Sequence, residues 1–468
     1  MSTRIFLALL VVLAFGASAS HGFHFDDQVV IHGVSFSAFQ TRPLTWLSFE
    51  ANHALGENPV MWHAVNLAAH IAAVLLLYEL LLLWAPAAAL LAAAIFAVHP
   101  IQAESVAYVY SRAGLFSTCL SLAAMLCWAR GKKLLAVVWF GLALLAKEDC
   151  VLVPAVILLV EYAAGKLKRD VVPAIGAMFA LAAAAGAWTL VATRAPHSGA
   201  GFQAGISWTI YLLDQGFVIL RYLQLVVVPY GFTIDPEINV GTGLALLGWF
   251  SVFALVFLAT RIRGGYWFVA GILLLLPSSS VFPAADLAAD HRMYLPMIAF
   301  ATAMAVQLLR APRWVQIAVP MALLLLSVGR MGVWADDAKL WAEAVGRAPD
   351  KVRPRIQLAR AMEPSQAIEV LTAAKEKFPD NEDVENELGR VYLELGRPDQ
   401  SLLEYGRVLA VRPSDARAIN NRAVALKAMG QPATAEIEFR RALKLDSCLE
   451  EARRNLGLEP CRGSATRK

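Results

Sequence analysis

Apolar segments follow one another with only short polar connectors between them until Met331, and this pattern constrains the fold more than any other feature of the chain. A helix that crosses a bilayer needs roughly 20 predominantly apolar residues, and a bilayer leaves the backbone no partner but itself. Hydrophobic residues make up 58% of the chain and charged residues 17%, below the about 25% of typical soluble domains. We therefore predict an all-α protein whose residues 1–332 form a multi-pass membrane domain.

Basic connectors predict the orientation of this domain. They lie at residues 132–133, 166–169, 261–263 and 310–313. Such connectors stay cytoplasmic. If the N-terminus is cytoplasmic, all four connectors lie in the cytoplasm only if the stretch 207–228 does not cross the membrane. This stretch is interrupted by Asp214 and Arg221, and it would instead be a re-entrant or interfacial helix. This topology has about eleven crossings and places the tail outside the cytoplasm. Cleavage at the signal-peptidase-like sequence Ala17-Ser18-Ala19 is an alternative that would change the count.

The polar tail, residues 333–468, carries a repeat. Gly396 and Tyr405 are followed 34 residues later by Gly430 and Phe439, and this period is typical of tetratricopeptide repeats. Such repeats stack into an α-solenoid whose concave side can hold a peptide. Cys448 and Cys461 could form a disulfide only if this tail is extracytoplasmic.

Two adjacent carboxylates, Asp26 and Asp27, lie in the first polar stretch after the N-terminal apolar segment. Charges at the edge of a bilayer often mark an active site, although a solvated turn is the alternative for an isolated pair. The predicted topology places the polar segments 99–112, 147–149 and 277–294 at the same face. Polar residues gathered at one face are what a site at a membrane surface requires.

Several motifs follow each other along the chain. They are Gly22-Phe23 before the two aspartates, Arg42-Pro43-Leu44 with His63, Asn66 and His70, His99-Pro100-Ile101 with Glu104 and Arg112, Lys147-Glu148, and residues 290–296. In this order, followed by the repeats, they resemble the transmembrane-and-tetratricopeptide O-mannosyltransferases, which are multi-pass glycosyltransferases of the GT-C type. Ala146 and Asp290 depart from the usual serine and glutamate of that family.

The resemblance implies a protein O-glycosyltransferase that moves a sugar, mannose in most of the family, from a polyprenyl-phosphate donor to Ser or Thr of an extracytoplasmic acceptor protein. The attacking hydroxyl needs a base, which is Asp26 or Asp27; the sequence does not decide between them. The leaving phosphate needs fixed cations. Arg292 is the first candidate because Asp290 and Tyr294 can orient it. The further candidates are Arg112, Lys147 and Arg221, with supporting roles for Glu104, His99, Glu148, Asp290, His291 and Tyr294.

Other functions and partners are less well supported by the residues. A catalytically silent membrane-anchored scaffold is the main alternative. A polyprenyl-lipid transporter is weaker, because a transport path needs polar residues on both halves. Paired carboxylates suit a divalent cation, but His63, His70, His99 and His291 are too dispersed for a metal signature, so the cofactor stays open.

The sequence also gives expectations about partners and compartment. The expected partners are the lipid-linked sugar, an acceptor protein held partly by the repeats, and membrane lipids. A net charge of +4 without a basic aromatic patch argues against nucleic acid. Short loops and spans rich in Ala and Leu suggest a bacterial inner membrane with periplasmic repeats, with the endoplasmic reticulum and luminal repeats as the alternative.

Overall fold

Helices are the only regular elements in the part of the chain that the computed structural model describes, which comprises residues 2–31, 41–194, 201, 205–459 and 461. The chain divides into two compact units, Met1–Asp336 and Asp337–Lys468. The boundary lies a few residues after the predicted one. The predicted class, an all-α membrane protein with a repeat tail, is confirmed.

The first unit contains fifteen α-helices among the described residues. They are α1 (Thr3–Phe15), α2 (Asp27–Ile31), α3 (Pro43–Leu55), α4 (Pro59–Trp84), α5 (Ala89–Val98), α6 (Ala103–Ala107), α7 (Arg112–Ala129), α8 (Lys133–Ala146), α9 (Val153–Ala163), α10 (Val172–Ala192), α11 (Trp208–Val227), α12 (Thr242–Thr260), α13 (Tyr266–Leu275), α14 (Met297–Leu308) and α15 (Arg313–Trp334). Seven helical segments in the described part are long and apolar enough to cross a membrane, and the bent pair Pro86–Val98 and Pro100–Ala107 makes eight. The predicted count of about eleven crossings therefore stays a prediction.

α11 and α12 pack together through two glycines. A Cβ atom on Gly216 would lie 2.6 Å from the backbone nitrogen of Trp249, and one on Gly248 would lie 2.6 Å from the backbone of Gly216, so only glycine allows this approach. Val227, at the end of α11, lines the same groove as Leu258 near the end of α12. The ends of the two helices therefore lie together, so the helices run in the same direction. Residues 228–241 must then lead from the end of α11 back to the level at which α11 begins, where α12 starts. This arrangement fits a re-entrant segment, which stays a prediction.

The second unit is a series of helix pairs: α16 (Asp337–Arg347), α17 (Arg353–Arg360), α18 (Pro364–Lys377), α19 (Glu382–Glu394), α20 (Pro398–Val411), α21 (Ala416–Ala428), α22 (Pro432–Leu445) and α23 (Glu450–Asn455). A Cβ atom on Gly389 would lie 2.8 Å from the ring of Tyr405, so this pair of helices needs glycine at the crossing. Gly396 and Gly430 adopt positive φ values of 68° and 76° in equivalent turns. The 34-residue repeat thus has a direct structural counterpart.

A disulfide joins Cys448 and Cys461, with their Cα atoms 5.3 Å apart. It closes a loop of the chain around the last helix, α23. The backbone N–H of Cys461 also donates to the carboxylate of Glu450 at 3.0 Å. The sequence left this pairing open, and the structure assigns it.

We expect the second unit to lie outside the cytoplasm, because the four basic connectors fit one orientation. A reporter that folds only outside the cytoplasm, fused after Lys468, should be active. With Cys119, Cys127 and Cys150 replaced by serine, Cys448 and Cys461 should react with a maleimide only after reduction, since disulfides persist in oxidising compartments. An active cytoplasmic reporter at the same position, with thiols that react before reduction, would contradict this topology.

Candidate active site

The two adjacent aspartates have different surroundings. Asp27 begins α2 and is fully buried. Its Oδ2 accepts the backbone N–H of His24 at 2.9 Å, and its Oδ1 accepts that of Tyr110 at 2.7 Å. Burial raises the pKa of Asp27 to about 7, against the effect of these two donors. Since the folded pKa is above the usual value, the stabilising effect of the protonated form is lost as the pH rises through 7.

Asp26 retains solvent exposure, being only half-buried. Its backbone N–H donates to the hydroxyl of Tyr108 at 3.2 Å, and the same hydroxyl hydrogen-bonds the Asp26 carboxylate. Burial, and then the charges of Asp26 and Asp27, raise the pKa of Tyr108, so its hydroxyl stays neutral. Asp26 is therefore the accessible carboxylate, whereas Asp27 anchors the loop before α2 to the segment before α7.

One aromatic ring supports the partners of both aspartates. Trp334 is the last residue of α15 and is 1% exposed. Its ring centroid lies 6.1 Å from that of Tyr108 and 5.5 Å from that of His24. Tyr108 contacts Asp26, and the backbone of His24 contacts Asp27. The position of both carboxylates thus depends on the last turn of α15.

Arg112 is fully buried at the start of α7. Its Nε donates to Asn66 Oδ1 at 2.9 Å, its Nη1 to Asn52 Oδ1 at 2.6 Å and its Nη2 to the Trp62 carbonyl at 3.0 Å. The guanidinium also lies 4.7 Å from the centroid of the Phe49 ring. Arg112 therefore joins α3, α4 and α7 from the inside. A donor phosphate could reach it only by displacing these partners.

Lys147 and Glu148 follow α8 and each makes an ion pair. Lys147 Nζ lies 2.9 Å from Asp149 Oδ2, and Ser117 donates to the other oxygen of Asp149 at 2.8 Å. Arg42 meets Glu148 with two parallel hydrogen bonds, from Nε at 3.0 Å and from Nη2 at 2.5 Å. Burial opposes ionisation of Glu148, but the charge and hydrogen bonds of Arg42 lower its pKa to about 2.

Arg292 has other partners than the sequence suggested. Its Nη1 donates to the hydroxyl of Tyr211 and to the Leu287 carbonyl, each at 3.1 Å, and its Nη2 donates to the Asp286 carbonyl at 2.6 Å. The expected orienting residues, Asp290 and Tyr294, contact other side chains instead. Burial disfavours the charge of Arg292, but its neighbours, Tyr211 first, hold its pKa above the usual value.

Asp290 and His291 tie their turn to two helices. Asp290 is buried and its Oδ1 lies 2.6 Å from Arg221 Nη1 on α11. His291 Nδ1 lies 2.5 Å from Glu104 Oε1 on α6. Glu104 and Arg112, which belong to the same sequence motif, therefore have separate partners.

Tyr294 and His99 also make interhelical hydrogen bonds. The hydroxyl of Tyr294 lies 2.7 Å from His70 Nδ1 on α4, and His99 Nε2 lies 3.1 Å from the Val226 carbonyl on α11. Neither residue lies next to the aspartates among the contacts described. Both position the helices around the polar face.

Tyr110 and Tyr211 connect these groups into one polar face. The charges of Arg42 and Asp26 both act on the hydroxyl of Tyr110. The turn Glu148–Cys150 contacts the turn Leu276–Ser278, where the Ser278 carbonyl accepts the hydroxyl of Tyr211 at 2.7 Å. Tyr211 in turn accepts from Arg292. The carboxylates, the two ion pairs after α8 and Arg292 are thus linked through neighbouring groups.

The sequence reasoning gave no role to Tyr108, Tyr110, His24 or Trp334, and it used Arg42 only as part of a motif. Tyr108 and Tyr110 lie between Glu104 and Arg112, so the motif itself was a signal for them. Trp334 has no such signal, because only the tertiary structure brings it beside Tyr108.

Metal ligation has little support in the described residues, since no group of three or more His, Cys, Asp or Glu side chains there is arranged to hold an ion. His63 Nε2 lies 3.0 Å from the Gly22 carbonyl. His70, His99 and His291 are hydrogen-bonded as described above.

Comparison with known proteins adds to this geometry. A family model for the tetratricopeptide repeat matches residues 358–420. Protein O-mannosyl-transferase F38B6.6 of Caenorhabditis elegans is 23% identical over 356 residues, which are 69% of this chain and 51% of that protein. This alignment is longer than the whole second unit, so it includes part of the membrane unit. The chain is therefore similar to the TMTC-like O-mannosyltransferases.

Shorter matches agree with this family. Protein O-mannosyl-transferase TMTC3 of Homo sapiens is 39% identical over 93 residues, 19% of this chain and 10% of that protein. Protein O-mannosyl-transferase TMTC2 of Homo sapiens is 33% identical over 154 residues, 29% of this chain and 18% of that protein. The chain thus spans about half the length of these relatives at most.

Replacing Arg112 by Gln should destabilise the membrane unit, because the buried oxygens of Asn52, Asn66 and Trp62 lose their donors at about 1–3 kcal/mol for each unsatisfied group. Thermal unfolding of the purified full-length protein in detergent measures the effect. Arg130→Gln is a matched control, since Arg130 directly follows the same helix and makes a half-exposed ion pair with Glu79. An Arg112→Gln variant as stable as the parent that no longer binds lipid donor would instead assign the guanidinium to the phosphate.

Proposed function

We propose that this chain is a protein O-glycosyltransferase of the GT-C type that moves a sugar from a polyprenyl phosphate to Ser or Thr of an extracytoplasmic protein. Mannose is the sugar that the names of the relatives give. The observation that carries the proposal is the pair Asp26 and Asp27, of which one is accessible beside a neutral tyrosine hydroxyl and the other is locked in the fold. A bacterial inner membrane with periplasmic repeats is the proposed location.

Asp26 is the proposed base. It takes the proton from the acceptor Oγ while that oxygen forms a bond to the anomeric carbon. The bond from this carbon to the phosphate oxygen breaks, and the phosphate leaves with the electron pair. Tyr108 holds Asp26 in place, and a base of this kind contributes about 10²–10⁴-fold to the rate. Asp27 supports the reaction by fixing the loop.

Lys147, Arg42 and Arg292 are the proposed cations for the leaving phosphate. All three lie on the polar face, and Arg42 is linked to Asp26 through Tyr110. Each of these cations donates to carboxylate or carbonyl oxygens. An oxygen of the phosphate could take the place of these acceptors, because it is also a hydrogen-bond acceptor. Arg112 is proposed to act indirectly, by holding α3, α4 and α7 together. Glu104, Glu148, Asp290, His291, His99 and Tyr294 keep their supporting roles by holding these residues and their helices.

The repeats are proposed to hold the acceptor protein. The alternative is a catalytically silent scaffold in which the repeats alone have a function, and the match of the repeat model to the second unit is compatible with it. Substitution of the aspartates distinguishes the two, because a scaffold needs neither.

Asp26→Asn should reduce transfer by about 10²–10⁴-fold with little change in thermal stability, because it removes only the proton acceptor. Asp27→Asn should lower the unfolding temperature, because an amide offers one acceptor oxygen to two backbone N–H groups. The measurements are transfer of hexose to a Ser/Thr peptide by mass spectrometry and thermal unfolding in detergent.

Asp214→Asn is a control for the charge change, since Asp214 lies on α11 and not on the segment that carries the aspartate pair. Full transfer by the Asp26→Asn variant would remove Asp26 as the base, and full transfer by the double Asn variant would favour the scaffold.

Truncation after Asp336 removes the repeats but keeps Trp334 and the whole polar face. We expect it to spare transfer to a short peptide at high concentration and to weaken transfer to a full-length acceptor, because a tethered binding surface raises the effective concentration. Rates for both substrates, measured on a truncated protein with an unchanged unfolding temperature, test this. If peptide transfer also disappears, the repeats contribute to the active site itself.

A further inference from the structure

Four arginines come together at one end of the membrane unit. Arg261 and Arg263 follow α12, Arg310 lies between α14 and α15, and Arg313 is the first residue of α15; all four are exposed. Gln307 bridges the two connectors, since its Nε2 donates to the Arg263 carbonyl at 3.0 Å and its Oε1 accepts from Arg310 Nη1 at 3.0 Å. The fold therefore holds two basic connectors side by side.

These arginines have no acidic neighbours along the chain. The sequence contains no Asp or Glu between Glu237 and Asp286 or between Asp290 and Asp336. Within the residues that the structure describes, none of the four arginines forms an ion pair, and Arg261 lies instead over the ring of Phe257 at 4.6 Å. Like charges held together without counter-charges repel, so an anion at this place would be favoured.

An apolar groove lies directly beside the arginines. Its volume is about 540 Å³, within the range of about 300–1,000 Å³ that ligand sites show. Ile262, which stands between Arg261 and Arg263, lines it, and Gln307 lines its edge. The other walls include Leu258, Phe268, Met304, Leu308 and Val319. A ligand that fills this groove and reaches the arginines must have an apolar chain and an anionic end.

The position of the groove points to a membrane lipid. α15 runs over 22 residues from Arg313 to Trp334, which at about 1.5 Å per residue is about 30 Å, the thickness of the hydrocarbon core. Trp334 packs beside Tyr108 at the aspartates, so the arginines lie at the opposite headgroup level. Trp314, next to Arg313, is 71% exposed, as aromatic residues at a membrane interface are.

We propose that this groove binds an acyl chain of an anionic phospholipid whose phosphate pairs with Arg261, Arg263, Arg310 and Arg313. Arginine suits phosphate because its planar guanidinium offers two parallel donors, and basic pockets between transmembrane helices recognise such headgroups. The sugar donor is not the occupant, because the polar face that would react with it lies at the other end of α15.

The site joins helices that lead to the aspartates. α14 begins just after the turn that carries Arg292, and α15 ends at Trp334. A phospholipid that holds the connector between α14 and α15 against α12 therefore stabilises the helices on which the polar face is built.

The test uses the full-length protein in nanodiscs of phosphatidylcholine with or without phosphatidylglycerol. Native mass spectrometry after release into detergent counts the phospholipid that stays bound. We expect retained phosphatidylglycerol and an unfolding temperature higher than in phosphatidylcholine alone. In the variant with Arg261, Arg263, Arg310 and Arg313 changed to Gln, the amount of retained phosphatidylglycerol should fall by about tenfold or more. The reason is that each cation near a membrane surface contributes appreciably to anionic lipid binding.

A matched control removes the same number of charges from other connectors, by changing Lys132, Lys166, Lys168 and Arg169 to Gln. Ala303→Phe keeps every arginine but fills the groove, and it should also reduce the retained lipid. Equal loss in the control, equal retention of phosphatidylcholine by the parent protein, or unchanged retention by Ala303→Phe would each overturn the proposal. If an added polyprenyl phosphate competes with phosphatidylglycerol and is retained preferentially, the groove binds the donor lipid instead, and the proposal is overturned as well.

Discussion

Polar groups inside the membrane unit must be satisfied by the protein itself, and the rest of the structure depends on this constraint. A bilayer supplies no hydrogen-bond partners. Arg112 therefore meets two asparagine amides and a backbone carbonyl, and Tyr294 meets His70. These bonds fix α3, α4 and α7 relative to each other. The polar face can then keep a constant shape even though its residues come from distant parts of the chain.

The same constraint explains why two adjacent aspartates can have different roles. A buried carboxylate needs donors for both oxygens, and Asp27 obtains them from the backbone of His24 and Tyr110. That anchoring leaves Asp26 on the outer side of the turn, beside a tyrosine whose hydroxyl stays neutral. Asp27 thus holds Asp26 in position, and the proposed chemistry needs both residues.

α15 relates the two ends of the membrane unit. Its first residues belong to the arginine cluster beside the apolar groove, and its last residue supports Tyr108 and His24. The ends differ in electrostatics. Around Asp26 the charged side chains have hydrogen-bond or ion-pair partners within the protein, whereas none of the four arginines forms an ion pair within the described residues. Charges that the fold leaves unbalanced indicate a ligand, and the bilayer offers phospholipids at that depth.

The sequence determined the class of the protein. Apolar segments, basic connectors and a 34-residue period are local patterns, and the physical rules for membrane helices and stacked repeats act on local patterns too. The motifs also identified Asp26, Asp27, Lys147, Glu148 and Arg292 as candidates. The relation to the TMTC-like proteins, read from those motifs, agrees with the comparisons.

The tertiary structure alone decided the partners. The expectation that Asp290 and Tyr294 orient Arg292 was wrong, because nearness along the chain does not determine which side chains meet across helices. Trp334 supports Tyr108 from more than two hundred residues away in sequence, and the burial that separates Asp26 from Asp27 depends on helices contributed by several segments. Local sequence specifies which groups are available. Their depth, accessibility and hydrogen-bond partners arise only when the helices pack.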